Sequence, residues 1–213
     1  MGKRVSIILF SLLFSLAGFS QSRLSLNLNG GLDKNFNKYY SANSYSEVED
    51  PGTDFSTGIN LAYKVGAKNR LRLDMKYTQF SFGQEPTSSA SKIILTEFKA
   101  YNMVLNPRFD ILLFAKNKFE LYVSPGASFN FLINNDQITT RTDGDTSYSN
   151  YIDTDYNNSM AGVIAGALAK YNITDRLGLT LSPDYTLYFA ELYDRNNQLF
   201  QRLSLNFGIE WTL

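Results

Sequence analysis

The sequence predicts an all-β fold, a transmembrane antiparallel up-and-down β-barrel of about eight strands with short periplasmic turns and long extracellular loops. Apolar and polar residues alternate with a period of two along eight segments, which is typical of strands with two different faces. The connections between these segments alternate between short and long. After the first twenty residues, no apolar run approaches the roughly 20 residues that a membrane-spanning helix needs.

The chain begins with the layout of a secretory signal peptide. Two positive charges among the first four residues precede an apolar run over 5–19, which ends in small residues. This run is short for a membrane-spanning helix, so we expect a cleaved leader and not an N-terminal anchor. Residues 1–20 are therefore predicted to be a signal peptide, and residues 21–213 to form one barrel domain.

Each predicted strand is defined by apolar residues at every second position, with polar residues between them. Eight strands fit the even number that bacterial single-chain barrels have. In chain order the apolar positions are Leu24, Leu26 and Leu28; Thr57, Ile59, Leu61, Tyr63 and Val65; Leu71, Leu73, Met75 and Tyr77; Tyr101, Met103, Leu105 and Phe109; Phe119, Leu121, Val123, Ala127, Phe129 and Phe131; Val163, Ala165, Ala167, Ala169 and Tyr171; Leu177, Leu179, Leu181, Tyr185, Leu187 and Phe189; Leu203, Leu205, Phe207, Ile209, Trp211 and Leu213.

The lengths of the connections predict which end of the barrel is which. Outer-membrane barrels place short turns in the periplasm and long loops outside the cell, so both termini are expected on the periplasmic side. The predicted long loops are 33–54, 83–92, 134–158 and 190–198, and the predicted short turns are 66–69, 115–118 and 172–175.

The charged residues predict which face of the sheet points inward. A soluble barrel that binds an apolar ligand also alternates, but it keeps its apolar residues inside. Here the polar face carries charges of both signs, which suggests an interior filled by ion pairs. In lipid, each Arg or Lys of this face would cost roughly 2 to 4 kcal/mol at the bilayer midplane. The predicted interior charges are Lys64, Arg70, Arg72, Asp74, Lys76, Arg108, Asp110, Glu120, Lys170, Asp184, Arg202 and Glu210.

Aromatic residues on the apolar face cluster near the strand ends, as they do where a barrel crosses the two membrane interfaces. We expect two girdles around an aliphatic band. The girdle at the short-turn end comprises Tyr63, Phe109, Phe119, Tyr171 and Trp211, and the girdle at the long-loop end comprises Tyr77, Phe129, Phe131 and Phe189.

Two features depart from a regular barrel. Pro107, Pro125 and Pro183 fall within predicted strands, where a missing N–H donor predicts local bulges. The start of the fourth strand is ambiguous, because Glu97 and Lys99 share the alternation of Tyr101 while Ile94 and Phe98 do not. A bulge, or a strand that reaches beyond the bilayer, would account for this second feature.

The composition argues against catalysis. The chain has no histidine and no cysteine, which excludes Ser-His-Asp and Cys-His sites together with histidine-containing metal sites. Lys and Arg together balance Asp and Glu at 20 each, which argues against a nucleic-acid partner. We therefore expect no enzyme activity and assign no catalytic, cofactor-binding or metal-binding residue.

The third long loop carries the remaining candidate acids. Asp143 with Asp145, or Asp153 with Asp155, could form a carboxylate pair for glycoside hydrolysis. We favour solvated carboxylates that bind Ca²⁺ weakly at most. An interior filled by side chains would also exclude general porin activity, unless the loops contain a further hairpin and the barrel is larger.

The last eight residues resemble the terminal-strand signal that the barrel-assembly machinery recognises. Asn206, Gly208, Trp211 and Leu213 occupy the signal positions, with Leu213 where Phe is commoner. Together with the leader, the loop pattern and the size, this segment makes the chain resemble the PorT-like outer-membrane β-barrel family, which has OmpA- or OmpX-like architecture.

The resemblance implies an integral outer-membrane protein of a Gram-negative bacterium with a structural or surface-interaction role, and some relatives are linked to protein secretion. The expected partners are membrane lipid and lipopolysaccharide, the barrel-assembly machinery, and envelope or secretion proteins that contact the long loops. A secreted soluble barrel that binds an apolar ligand is the alternative.

Overall fold

The computed structural model describes residues 23–36, 45–47, 53–86, 93–141, 145–149, 159–189 and 200–213. All regular structure within these ranges is β-strand, and they contain no helix that is long and apolar enough to cross a membrane. The strands are β1 (Leu24–Phe36), β2 (Tyr45–Glu47), β3 (Thr53–Val65), β4 (Asn69–Pro86), β5 (Ile93–Lys116), β6 (Phe119–Val123), β7 (Gly126–Arg141), β8 (Thr146–Ser149), β9 (Ser159–Asn172), β10 (Leu177–Tyr188) and β11 (Gln201–Thr212).

The strands form a closed antiparallel ring. β1 pairs with β3 on one side and with β11 on the other, so that Leu26 lies opposite both Leu61 and Trp211. β6 and β7 share one position in the ring, because both pair with β5 and with β9. The ring therefore has eight positions, which confirms the predicted fold class.

Several strands extend into segments that were predicted as loops. β4 continues to Pro86, so the first four residues of the predicted loop 83–92 are strand, and β5 already begins at Ile93, well before Tyr101, the first apolar position of the fourth predicted strand. The predicted loop 134–158 contains a hairpin in which β7 pairs with β8. This hairpin lengthens the wall and adds no position to the ring. Apolar and polar residues do not alternate regularly along these extensions, so the period of two did not identify them as strand.

The prolines do not cause the predicted bulges. The pairing of Leu105 with Phe129 and of Arg108 with Gly126 keeps one register across Pro107, and the registers on either side of Pro125 and Pro183 are likewise unchanged. Other donors supply hydrogen bonds next to these residues. The Ser182 hydroxyl, adjacent to Pro183, donates to the Ala167 carbonyl oxygen at 3.0 Å.

The ambiguous start of the fourth predicted strand contains the expected bulge. β5 extends far beyond the predicted start, and its pairing with β7 shifts between Tyr101 and Asn102, where Ile133 is the extra residue of β7. A second shift lies between Ile93 and Leu95. From Asn102 to Leu112 the alternation along β5 is regular, and a third shift, in the pairing with β6, lies between Leu112 and Phe114.

Candidate functional site

The interior of the barrel holds most of the predicted charged residues. Lys64 and Glu120 are half-buried near the short-turn end. The other ten are buried, and they are Arg70, Arg72, Asp74, Lys76, Arg108, Asp110, Lys170, Asp184, Arg202 and Glu210. Each of these residues alternates along its strand with an outward-facing neighbour, so the polar face of the sheet is the inner face.

Nine of these side chains form a continuous series of ion pairs of alternating sign, which we call the charge chain. It begins at Lys170, whose Nζ lies 2.6 Å from Oε1 of Glu210. Glu210 also pairs with Nη1 of Arg70 at 3.1 Å. Nη2 of Arg70 lies 2.9 Å from Oδ2 of Asp110, whose Oδ1 accepts a 2.7 Å hydrogen bond from the Ser124 hydroxyl.

The charge chain continues through two further arginines. Nη2 of Arg72 lies 3.6 Å from Oδ1 of Asp110, and Nε of Arg72 lies 2.9 Å from Oδ1 of Asp74. Arg108 then joins two aspartates, because its Nε lies 2.9 Å from Oδ2 of Asp74 and its Nη1 lies 2.6 Å from Oδ1 of Asp184. Each of these arginines thus lies within ion-pair distance of two carboxylates.

Lys76 ends the charge chain next to an amide. Its Nζ lies 3.8 Å from Oδ2 of Asp184 and donates a 2.8 Å hydrogen bond to Oδ1 of Asn206. Nδ2 of Asn206 in turn donates to Oδ2 of Asp184 at 2.9 Å. Removing buried charges from water is costly, and mutual pairing with additional hydrogen bonds offsets that cost. The charge chain connects β4, β5, β9, β10 and β11 across the interior.

Inward-facing glycines make room for the charged side chains, and sequence reasoning missed them. A Cβ at Gly166 on β9 would overlap Oδ1 of Asp184 on β10, and a Cβ at Gly58 on β3 would lie 2.9 Å from Cγ of Lys76 on β4. Both glycines lie on the polar alternation of their strands. Their role could be inferred only from the register, which places a long side chain beside each one.

Three aromatic rings pack together inside the long-loop end of the barrel, and sequence reasoning also missed them. Phe80, Tyr188 and Phe200 form this aromatic cap, and all three are at most 2% exposed. The rings of Phe80 and Phe200 meet edge to face with centroids 4.8 Å apart, and those of Tyr188 and Phe200 stack at 5.4 Å. Cζ of Arg202 lies 4.2 Å from the Phe80 ring centroid, within cation–π range.

The outer face is apolar over the whole described ring. All nine predicted girdle residues are exposed, from Phe109 at 37% to Phe189 at 60%. The aliphatic residues between them are exposed as well, among them Leu71, Leu179 and Ile209. Charge lies inside and apolar surface outside, which is the reverse of a water-soluble barrel.

The four residues of the C-terminal signal divide between the two faces. Asn206 and Gly208 point inward, where Asn206 joins the end of the charge chain and a Cβ at Gly208 would lie 2.8 Å from Oγ1 of Thr180. Trp211 and Leu213 are exposed on the outer face. The two inward residues thus have a packing role in the folded barrel in addition to any role in assembly.

Some predicted features lie outside the described residues. These are the signal peptide 1–20 and the loop acids Asp143, Asp153 and Asp155. Asp145 is described and exposed. In the described ranges, no group of three or more acidic side chains is placed to hold a metal ion.

No protein-family model matches the chain, and no curated protein matches it significantly. Among solved structures, a major outer membrane protein from Thermus thermophilus has a TM-score of 0.50 at 13% identity, covering 88% of this chain and 98% of that one. Neisserial surface protein A has a TM-score of 0.49 at 16% identity, with 89% and 97% covered. OprG from Pseudomonas aeruginosa has 0.48 at 11%, with 89% and 95% covered. The Thermus structure shows that an outer-membrane protein adopts the fold of this chain.

Proposed function

We propose that the chain is an integral outer-membrane protein with a structural or surface-interaction role, and that its interior is closed to passive diffusion. The observation that carries this proposal is the pairing of a buried charge chain with a fully apolar outer face. In water, so large a continuous apolar surface would promote aggregation. In a bilayer the same surface contacts acyl chains, and the closed ring satisfies the backbone hydrogen bonds.

The packing of the interior supports a closed barrel. Eight strands leave an interior only wide enough for side chains to fill. The charge chain crosses it from β4 to β9, β10 and β11, and the aromatic cap packs across its long-loop end. An ion would have to displace paired charges along most of this path.

A secreted soluble barrel that binds an apolar ligand is less well supported. Such a barrel needs an apolar interior, and within the described residues the buried apolar cluster is confined to the long-loop end. Phe80, Tyr188 and Phe200 pack against one another there, together with Ala100 and Met160. Outside this cluster the described interior is mostly polar or charged, and its buried apolar residues are Ala62, Val104, Tyr122, Ile164 and Leu168.

The sequence alone supports the more specific parts of the proposed role. The absence of histidine and cysteine supports a non-enzymatic protein. The long loops 33–54 and 134–158 are rich in Tyr, Asn and Ser, a composition suited to adaptable contacts with lipopolysaccharide or envelope proteins. We propose a link to protein secretion from the PorT-like resemblance alone. We propose recognition by the barrel-assembly machinery from the C-terminal segment.

Two measurements test the proposal. The full chain should fractionate with membranes and migrate differently on a detergent gel when boiled and unboiled, because a closed barrel resists the detergent until heated. In planar bilayers the folded protein should give no steady ion conductance. Soluble protein without a heat-dependent shift would contradict the membrane barrel, and steady open channels would contradict the closed interior.

A further inference from the structure

The apolar outer face contains a groove of about 520 Å³ on the wall formed by β1, β3, β4 and β5. Thr57 and Gly58 form its floor. Its walls are the outward-facing side chains of Leu28, Ile59, Met75, Tyr77 and Met103. The groove opens away from the barrel interior, onto the surface that we propose to face lipid.

The groove exists because two small residues are neighbours in the sheet. Thr57 on β3 lies opposite Gly30 on β1 and opposite Tyr77 on β4. On its other side, Gly30 lies opposite Phe207 on β11. The two small residues therefore leave a shallow stretch between the rings of Tyr77 and Phe207. The Thr57 hydroxyl donates to the Asn29 carbonyl oxygen at 3.3 Å, which leaves the floor without a free donor.

A tyrosine pair separates the groove from the long-loop end. Tyr101, two residues beyond Met103 on β5, stacks on Tyr77 with ring centroids 6.2 Å apart. Tyrosines are enriched at the level of the lipid headgroups, where the ring contacts acyl chains and the hydroxyl contacts water. The groove therefore lies on the acyl-chain side of this level.

Two lysines lie beyond the tyrosine pair. Lys99 is two residues past Tyr101, or about 7 Å along the strand, and lies opposite Ser81 on β4. Lys34 on β1 is exposed and lies opposite Thr53 on β3. Neither lysine forms an ion pair with a described carboxylate, although Asp136 on β7 lies opposite Lys99.

We propose that this groove binds an acyl chain of a phospholipid with a net negative headgroup in the leaflet at the long-loop end, and that Lys99 and Lys34 bind that headgroup through its phosphate. The site requires the membrane location proposed above. A lipid fits because the groove is continuous with the lipid-facing surface and because the order from apolar groove to tyrosines to lysines is the order from acyl chain to headgroup in a lipid.

The test uses the full chain folded into nanodiscs and transferred to detergent for native mass spectrometry. The probes are phosphatidylglycerol and phosphatidylcholine with identical acyl chains. We expect the unchanged protein to retain phosphatidylglycerol several-fold more than phosphatidylcholine. The double variant Lys34→Gln with Lys99→Gln should lose this preference, whereas Lys116→Gln, which removes an exposed lysine at the short-turn end, should keep it.

A second set of variants tests the groove itself. Thr57→Phe should reduce retention of both lipids, because the larger ring fills the floor, whereas Ala165→Phe on the outward face of β9 should not. Asp136→Asn should increase retention of phosphatidylglycerol, because it removes a carboxylate near Lys99.

Three results would overturn the inference. Equal retention of the two probes by the unchanged protein excludes a site for a net negative headgroup, and unchanged retention by Thr57→Phe excludes the groove. A dimer that Thr57→Phe dissociates would show that a second copy of the chain is the occupant. In each case a normal heat-dependent gel shift would leave the membrane barrel intact, whereas loss of insertion in the unchanged protein would overturn the proposed function as well.

Discussion

Arg70 and Glu210 are 140 residues apart in the chain and meet inside the barrel, where Nη1 of Arg70 lies 3.1 and 3.2 Å from the two carboxylate oxygens of Glu210. Their strands β4 and β11 are not neighbours, because β3 and β1 lie between them in the ring. The pair therefore joins distant parts of the wall through the interior, independently of backbone hydrogen bonds.

Replacing Arg70 by Leu should destabilise the barrel by about 3–5 kcal/mol, because Asp110 and Glu210 would keep buried negative charges without their shared arginine. The free energy of unfolding can be measured by urea titration in lipid vesicles. Lys116→Leu, at an exposed lysine, is the matched control. Equal losses in the two variants would show that the charge chain contributes nothing specific.

Replacing Gly166 by Val should cost about 1–3 kcal/mol, because the new side chain would overlap the Asp184 carboxylate and the Pro183 carbonyl oxygen. Ala165→Val changes the adjacent outward-facing residue of β9 and should be nearly neutral. The same urea titration compares them. If Gly166→Val is as stable as Ala165→Val, the inward glycines do not serve to accommodate the charged residues.

Replacing Leu73 by Lys tests the environment of the outer face. In a bilayer a lysine near the midplane should cost roughly 2–4 kcal/mol. Ala67→Lys, in the exposed turn that precedes β4, should have little effect. Unfolding in lipid vesicles gives both values. A neutral or stabilising Leu73→Lys would mean that this face meets water.

Removing one ring of the aromatic cap should weaken the long-loop end. Phe200→Ala should cost about 3–5 kcal/mol, since Phe200 is 1% exposed and contacts both other rings. Phe189→Ala, at a ring that is 60% exposed, should cost clearly less. Hydrogen exchange at the ends of β4 and β10 would locate the effect. Faster exchange confined to the short-turn end would contradict it.

The resemblance of the C-terminal segment to an assembly signal predicts an effect on the rate of folding. Trp211→Ala should slow folding that depends on the barrel-assembly machinery, while spontaneous folding into thin bilayers changes little. Phe207→Ala removes an outward-facing aromatic residue of the same strand outside the signal positions and serves as the control. Equal slowing of the two variants by the machinery would indicate that general hydrophobicity matters and not the signal.

The alternation of apolar and polar residues, as from Leu71 to Tyr77, predicted the eight-position ring. It did so because alternate side chains of each strand face the outer surface and the interior. The same reasoning could not predict the aromatic cap, because Phe80 and Phe200 place apolar rings on the polar alternation. It could not assign Gly166 or Gly58 either, since their neighbours are known only once the register is fixed. The prediction of bulges at the prolines was wrong, because the strands keep their register there and neighbouring groups donate hydrogen bonds.

Some ion pairs of the charge chain can form only after the last strand of the ring has been added. Lys170 and Arg70 both pair with Glu210, which lies in the last strand. Until that strand is in place, neither cation has this carboxylate, and an intermediate of seven ring strands retains unpaired charge in its interior. Completion of the wall and the pairing of Lys170 and Arg70 with Glu210 therefore occur in one event, which favours all-or-none closure over a stable, partly assembled barrel.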